Sequence, residues 1–481
     1  MSSDTRKIIG ATKWSAITEI AARLILPISN MVLARILTPD AFGVVATISM
    51  IVSFAEIFTD AGFQKYLIQH EFEDDTDREQ STNVAFWSNF ILSIALWAII
   101  TIFCEPLARV VGNPGLGHVI TVACISIPLA AFSSIQMALY KRDFDFKTLF
   151  KVRIIGILIP IVVTIPLAFL FRSYWALVIG TIVTNIVNAL VLTLYSKWKP
   201  RFFYSWSKLK EMLSFSVWSM VEAISIWMTG YIDIFIIGVY INEYFLGIYK
   251  TSMTTVGQIT SIITAATTPI LFSALSRLQS DRGAFQELFF KFQKLVGMLV
   301  IPLGVGIFCF SGLITQILLG SQWGEASSFI GLWGLTSALT IVLSHYSSEV
   351  YRSLGKPRLS LLAQILHIVV LCPAMLIATQ YSWETIYVTR AIVRLELILV
   401  NLVIMHTVIK ISPIKMISNI FPSIFSAIIM GVAGWGLASL NDAIWWQLFA
   451  VCICIVIYTL TITRFKTEKQ VLQSFIKQFK K

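Results

Sequence analysis

Long apolar runs separated by short polar breaks fill most of this chain. A membrane-spanning helix needs about 20 predominantly apolar residues, and fourteen runs approach or exceed that length. They predict transmembrane helices over 13–37, 41–62, 84–104, 116–139, 150–171, 174–195, 213–240, 244–272, 295–319, 326–351, 359–379, 384–406, 418–439 and 444–464. The pattern therefore predicts an all-α polytopic membrane protein with about fourteen spans.

The pattern also repeats along the chain. Trp14-Ser15 and Phe42-Gly43 recur 204 positions later as Trp218-Ser219 and Leu246-Gly247, with matching apolar runs between them. Because each half contains six spans, both copies enter the membrane in the same direction. Such parallel repeats are related by a pseudo-two-fold axis along the membrane normal. We therefore expect two six-helix lobes with a cavity between them, followed by two extra helices.

These boundaries divide the chain into six predicted segments. They are a cytoplasmic N-terminus (1–12), an N-lobe (13–195), a cytoplasmic linker (196–212), a C-lobe (213–406), the two extra spans (407–464) and a basic amphipathic tail (465–481). The tail has an apolar helical face and several lysines, which suits a position along the inner leaflet of the bilayer.

Lys and Arg are distributed unevenly between the two sides of this predicted topology. Of the 37 cations, 30 fall on the side of the termini, two (Arg109 and Arg172) on the opposite side and five inside spans. The positive-inside rule then places both termini in the cytoplasm. The net charge of +11 thus reflects membrane topology, and we expect no nucleic-acid partner. The polar N-terminus lacks the pattern of a cleavable signal peptide, so the first span is expected to direct insertion.

The five cations inside the predicted spans are Arg23, Arg35, Lys250, Arg390 and Arg394. A charge inside a span is costly and usually faces the bundle interior or a water-filled cavity. Arg23 and Arg394 lie deepest, whereas Arg35 is close to a helix end and can extend to the interface. Guanidinium groups bind phosphate through paired hydrogen bonds and keep their charge when partly buried. The pattern therefore indicates a cavity for an anionic substrate.

Four carboxylates inside or beside the spans are candidates for ion coupling: Glu19, Asp60, Glu222 and Asp233. Glu222 and Asp233 are eleven residues apart, about three helical turns, and so share one face. Interior carboxylates can carry protons or bind sodium, and no other cofactor is expected. Two structural alternatives stay open at this point. Glu19 and Arg23 can form a self-neutralising pair at i, i+4, and cytoplasmic water can satisfy Asp60.

Several short motifs occur in order along most of residues 10–360. They are VLARILTPDAFGVVA at 32–46, DAGFQKYLIQ at 60–69, YWALVIGT at 174–181, WKPRF at 198–202, LSFSVWS at 213–219, YIDIFIIGVYINEYFLGIYKTSM at 231–253, LFSALSRLQSD at 271–281 and LLGSQW at 318–323. In these motifs the chain resembles the polysaccharide-export flippases, the Wzx-like branch of the multidrug/oligosaccharidyl-lipid/polysaccharide superfamily. Arg35, Asp60, Asp233 and Lys250 stand within the motifs.

The resemblance implies a transporter in the bacterial inner membrane. Its substrate would be an undecaprenyl-diphosphate-linked oligosaccharide for exopolysaccharide, O-antigen or a teichuronic-type polymer, translocated by alternating access. The cavity cations would hold the diphosphate, and the lipid tail would stay in the bilayer between the lobes. Besides the bilayer, a polysaccharide polymerase and other biosynthetic membrane proteins are candidate partners.

Two other functions are open to a chain of this kind. A drug or metabolite antiporter of the same superfamily would favour a cavity of carboxylates for cationic substrates, whereas this sequence places cations there. A membrane polysaccharide ligase or glycosyltransferase would need an external catalytic surface, but the longest predicted external loop covers only 105–115. No G-x-x-x-x-G-K-[ST] motif is present, so ATP is not expected to drive the process directly. We therefore expect a transporter and not an enzyme.

Overall fold

The computed structural model describes residues 22–23, 25–60 and 62–471, apart from the side chains at 60, 214–219, 221 and 222, and the described residues contain helices but no strands. The chain divides into two compact units, the first running to Lys250 and the second beginning at Thr251. The prediction of an all-α protein is confirmed.

The described helices of the first unit begin with one that covers the second half of the first predicted span. They are α1 (Ile25–Ile36), α2 (Pro39–Asp60), α3 (Phe63–Gln69), α4 (Asp75–Ile102), α5 (Cys104–Val110), α6 (Gly117–Ala123), α7 (Ser126–Arg142), α8 (Phe146–Ile159), α9 (Ile165–Phe171), α10 (Trp175–Tyr195) and α11 (Trp206–Tyr240). A π-helical turn at Pro160–Thr164 joins α8 to α9. The next helix, α12 (Glu243–Arg277), starts in the first unit and continues into the second.

The second unit continues with long helices interrupted by short π-helical and 3₁₀ turns. Its remaining helices are α13 (Arg282–Cys309), α14 (Ser311–Leu318), α15 (Ala326–Thr340), α16 (Tyr346–Ser353), α17 (Arg358–Ala378), α18 (Trp383–Ile404), α19 (Pro413–Ala438) and α20 (Ile444–Ile462). The π-helical turn Ile341–His345 connects α15 to α16, so together they form one span. The two spans beyond the repeat are α19 and α20.

Thirteen stretches of the described chain are long and apolar enough to cross a membrane. They correspond to the second through fourteenth predicted spans, and the first predicted span begins outside the described residues. The protein is therefore a multi-pass membrane protein, as predicted. The lobe and linker boundaries stay a prediction, and residues 196–212 lie inside the first unit.

Helix α4 begins nine residues earlier than its predicted span because of its N-cap. The Asp74 carboxylate accepts a hydrogen bond from the backbone N–H of Asp77 at 2.6 Å, which satisfies a donor that an uncapped helix would leave without a partner. The Asp77 side chain in turn forms an ion pair with Lys208 of α11. Polar residues that read as a loop by hydropathy thus form the first turns of the helix.

Glycines at equivalent positions of the repeat bring α2 and α12 into backbone contact. A Cβ atom at Gly43 would lie 1.8 Å from the carbonyl oxygen of Glu243, and one at Gly247 would lie 1.8 Å from that of Pro39. Both pairs of positions, 39 with 243 and 43 with 247, are 204 residues apart. Small residues allow such close approach between membrane helices. The contact is therefore reciprocal between positions that the repeat relates.

Each unit has its own buried apolar core. In the first unit, α3, α4 and α7 meet through Leu67, Phe86 and Ile135. In the second, the larger core joins α13, α15 and α19, and there a Cβ atom at Gly304 would lie only 2.3 Å from that of Ala338. Since lipid is as apolar as these side chains, close van der Waals packing holds the helices together.

Candidate functional site

Two of the predicted cations meet on one aromatic ring in the second unit. Arg390 and Arg394 lie one turn apart on α18 and both face Trp333 of α15, with guanidinium carbons 5.0 and 4.2 Å from the ring centroid. The Arg394 Nη1 also donates to the hydroxyl of Ser337, one turn along α15, at 2.5 Å. We call these four side chains the Arg–Trp cluster.

The members of the Arg–Trp cluster differ in burial. Arg390 and Trp333 are only 5% and 4% exposed, whereas Arg394 is half-buried. An aromatic face attracts a guanidinium electrostatically, and more strongly when the pair is shielded from water. The ring therefore helps to hold two positive charges at membrane depth, and Arg394 is the cation with an accessible part. The arrangement suits an anion with several oxygens, such as a diphosphate.

Neighbouring polar groups on α18 are held by other side chains. Glu396 lies 3.0 Å from the ring Nδ1 of His367 on α17. Asn401 donates to the hydroxyl of Ser344 at 2.9 Å and accepts from that of Tyr351 at 2.9 Å. These contacts join α18 to α17 and to the span that contains α15. They fix the rotation of α18, and with it the direction in which the face with the two arginines points.

A large apolar cavity, of about 660 Å³, lies in the same unit. Leu299 and Pro302 of α13 line one wall, and Val451, Ile455 and Tyr458 of α20 line another. The Tyr458 hydroxyl donates to the backbone carbonyl of Met298 at 2.9 Å, so this polar atom is satisfied. The cavity can accept a hydrocarbon chain, and α20, which lies outside the repeat, supplies much of its surface.

In the first unit, Asp233 on α11 and Lys250 on α12 each contact a tyrosine. Asp233 is fully buried on α11, and its Oδ2 accepts a hydrogen bond from the hydroxyl of Tyr249 at 2.6 Å. The Lys250 ammonium lies 5.0 Å from the centroid of the Tyr231 ring. The structure thus gives Asp233 a tyrosine partner. The role of Glu222 and Asp233 in ion coupling stays a prediction, and the Glu222 side chain is outside the described part.

The remaining predicted site residues belong to the first two predicted spans, and the structure describes only some of them. Arg35 is exposed near the end of α1, and Arg23 is half-buried. Asp60 ends α2, but its side chain lies outside the described part, as does the whole of Glu19. The self-neutralising pair of Glu19 with Arg23 therefore stays a prediction.

Sequence reasoning missed Trp333 and Ser337. Trp333 lies inside the span that begins at Ala326, with Ser337 four residues later on the same face. A tryptophan inside a span, one turn from a serine, was the available signal. What hydropathy alone does not supply is that α15 and α18 pack side by side.

Comparison with known proteins places residues 32–328 within the family model described as polysaccharide biosynthesis protein. Succinoglycan biosynthesis transport protein ExoT of Rhizobium meliloti is 23% identical over 68% of this chain and 65% of its own length. Teichuronic acid biosynthesis protein TuaB of Bacillus subtilis is 21% identical over 72% and 71%. Lipopolysaccharide biosynthesis protein WzxC of Escherichia coli is 20% identical over 66% and 64%. The chain thus spans slightly under two thirds of the first and last of these relatives.

Two solved structures share the fold at low sequence identity. The lipid II flippase MurJ, in an inward closed conformation, is 14% identical, with a TM-score of 0.76 over 94% of this chain and 98% of that protein. An inward-facing multidrug resistance transporter of the MATE family is 13% identical, with a TM-score of 0.59 over 80% and 96%. Since the family model covers more than half of the chain, this protein belongs to the polysaccharide biosynthesis protein family, and the Wzx-like resemblance seen in its sequence is confirmed.

Proposed function

We propose that this protein is a flippase that carries a lipid-linked oligosaccharide diphosphate across the bacterial inner membrane. The observation that carries the proposal is the Arg–Trp cluster. It places two guanidinium groups on one face of a membrane helix. Charge is costly there and usually marks a functional site. The names of the relatives, which describe transport or biosynthesis of succinoglycan, teichuronic acid and lipopolysaccharide, support the same class of substrate.

The anionic part of such a substrate matches the chemistry of the cluster. A diphosphate presents several oxygens to which a guanidinium can donate paired hydrogen bonds. Arg394 is the accessible donor, while the buried Arg390 adds positive charge from the same helix face. Within the first unit, Lys250 is a separate candidate for anion binding, because its half-buried ammonium extends along an aromatic ring.

The lipid part of the substrate matches the apolar cavity of the second unit. A polyprenyl chain gains little hydrophobic energy on moving from the bilayer to a protein surface, because both are apolar. Contact in the cavity instead supplies van der Waals packing and fixes where the chain lies. We assign this role to α13 and α20, which gives the last predicted span a function in guiding the lipid.

The remaining features of the function follow the family. We propose that both termini lie in the cytoplasm, that the mechanism is alternating access, and that a proton or sodium gradient supplies energy through one or more of the interior carboxylates. The positive-inside distribution of cations supports the orientation. A polysaccharide polymerase that uses the translocated unit is the partner that this function calls for.

Lipid analysis of a strain that lacks the protein tests the proposal. We expect undecaprenyl-diphosphate oligosaccharide to accumulate on the cytoplasmic face while surface polymer disappears, and the wild-type gene to reverse both effects. Unchanged polymer would contradict the proposal. So would lipid-linked units that reach the outer face without being joined, since that result belongs to a defect in polymerisation.

A further inference from the structure

A second cavity, of about 490 Å³, lies within the first unit and has a different lining. Three asparagines project from two helices, Asn89 from α4 and Asn185 and Asn188 from α10, and serine hydroxyls from α2 and α7 join them. Its two charged lining residues, Glu56 and Lys65, are opposite in sign. We call it the amide cavity. Its volume is in the range of small-molecule sites, about 300–1,000 Å³.

One hydrogen-bond acceptor of the amide cavity, on Asn89, is not satisfied by the described residues. Its side chain is 1% exposed, and its Nδ2 donates to the hydroxyl of Ser134 at 2.7 Å. Its Oδ1 has no hydrogen-bond partner among the described residues. A buried amide oxygen without a donor is costly and uncommon, so Asn89 leaves a hydrogen-bond acceptor unused in the wall of the cavity.

An aromatic surface adjoins the amide cavity. The indole N–H of Trp227 on α11 donates to the hydroxyl of Ser53, which lines the cavity, at 3.0 Å. The Trp227 ring stacks on that of Tyr231, with centroids 5.6 Å apart and planes at 22°. The Lys250 ammonium lies over the Tyr231 ring. A chain of contacts within the first unit thus leads from the amide cavity, across two aromatic rings, to a cation.

We propose that the amide cavity binds sugar residues of the lipid-linked oligosaccharide, which deepens the proposed function and depends on it. Sugar hydroxyls both donate and accept hydrogen bonds, and asparagine and serine side chains do the same. The C–H faces of a sugar ring are apolar and pack against aromatic rings, which have broad apolar faces. A lipid chain would leave the amides without partners, and a diphosphate would meet a carboxylate as well as a cation. The lining therefore selects a neutral, hydroxyl-rich ligand.

A comparison of two probes on the purified full-length protein tests this assignment. The first probe is the lipid-linked oligosaccharide isolated from the strain that lacks the protein, and the second is undecaprenyl diphosphate without sugar. We expect the wild-type protein to bind the first at least about tenfold more tightly. Asn185→Leu combined with Asn188→Leu should remove this difference and leave the affinity for undecaprenyl diphosphate unchanged. That unchanged affinity also shows that the variant is folded.

Thr181→Leu is the matched control, because Thr181 is exposed on the same helix and its hydroxyl donates to the backbone of Leu177. It should behave as wild type toward both probes. Equal affinity of the wild-type protein for the two probes would overturn the sugar site and leave the flippase proposal standing. Loss of both affinities in the double variant and also in the milder Asn188→Ser would overturn it as well. If the deletion strain accumulates no lipid-linked oligosaccharide, the proposed function itself fails.

Discussion

Corresponding helices of the two halves of this chain pack alike but carry different chemistry. In the first half, the fourth and sixth spans contribute α7 and α10, which pack side by side, and in the second half α15 and α18 do the same. Between α7 and α10, Gln136 donates to the hydroxyl of Thr193 at 3.0 Å. Between α15 and α18, Arg394 donates to the hydroxyl of Ser337. The first contact joins two neutral side chains, whereas the second helix pair carries Arg390 and Arg394 inside a span.

Because the two helix pairs pack alike and differ in their side chains, one repeated fold can bind chemically different parts of a substrate. The backbone repeat decides which helices lie together, while the side chains decide what each pair can bind. Amides and hydroxyls suit uncharged hydroxyl-rich groups, and guanidiniums suit phosphate oxygens. A lipid-linked oligosaccharide contains both kinds of group, in addition to an apolar tail.

The largest effect is expected from removing the charges of the Arg–Trp cluster. Hydrogen bonds to charged groups contribute about 1.5–3 kcal/mol each, or roughly 10- to 100-fold in binding. We expect Arg390→Ala with Arg394→Ala to abolish surface polymer at a normal level of membrane protein, as measured by polymer assay and immunoblot. Lys291→Ala, which removes an exposed cation of α13 from the same unit, is the control. Normal polymer from the double variant would show that Arg390 and Arg394 are not needed for export.

The glycine contact tests the assumption that the two halves are true repeats. Adding a methyl group at Gly43 or at Gly247 should force α2 and α12 apart, because each Cβ would overlap a carbonyl oxygen. Overpacking typically costs about 1–3 kcal/mol. We expect Gly43→Ala and Gly247→Ala to lower the thermal unfolding temperature in detergent by similar amounts. Gly257→Ala on α12, where a Cβ would meet open space, should have little effect. Clearly unequal effects would argue against a reciprocal contact.

A smaller effect should come from the ring that supports the arginines. Cation–π interactions contribute about 0.5–2 kcal/mol, so Trp333→Leu should weaken binding of undecaprenyl diphosphate by about two- to thirtyfold. Trp333→Phe should lie between Leu and wild type, because phenylalanine keeps a weaker aromatic face. Equilibrium binding in detergent measures the series. Equal affinities for Phe and Leu at this position would show that only the volume of the ring matters.

Salt should affect the two chemistries differently. Raising the ionic strength screens charges that water can reach, so it should weaken binding of undecaprenyl diphosphate by about two- to fivefold. The ratio of affinities with and without sugar should not change, because it depends on neutral groups. A titration with potassium chloride measures both quantities. A ratio that falls together with the diphosphate affinity would assign charge to the sugar site.

The smallest effect is expected at Arg35. Its side chain is exposed near the end of α1, where a lysine can also reach the interface. Polymer export should therefore be unchanged in Arg35→Lys, whereas Arg23→Ala, at a half-buried position, should impair it. A severe defect in Arg35→Lys would show that this position requires a guanidinium.

Sequence predicts the spans of this fold well because the bilayer imposes a strict length of apolar chain. The same physics identified Arg390 and Arg394, since a charge is conspicuous inside a span. Asn185 and Asn188 went unnoticed because a neutral amide costs less there and leaves a weaker signal. The partners of the arginines, Trp333 and Ser337, become apparent only when α15 and α18 are seen to be neighbours.

Diphosphate binding by the Arg–Trp cluster is tested most directly by a binding measurement on the purified protein with two lipids, undecaprenyl diphosphate and undecaprenol. We expect the wild-type protein to bind the diphosphate at least about tenfold more tightly. Arg394→Ala should remove most of that preference, and Lys291→Ala should keep it. Equal binding of the two lipids by the wild-type protein, or a full preference in Arg390→Ala with Arg394→Ala, would contradict diphosphate binding by the cluster.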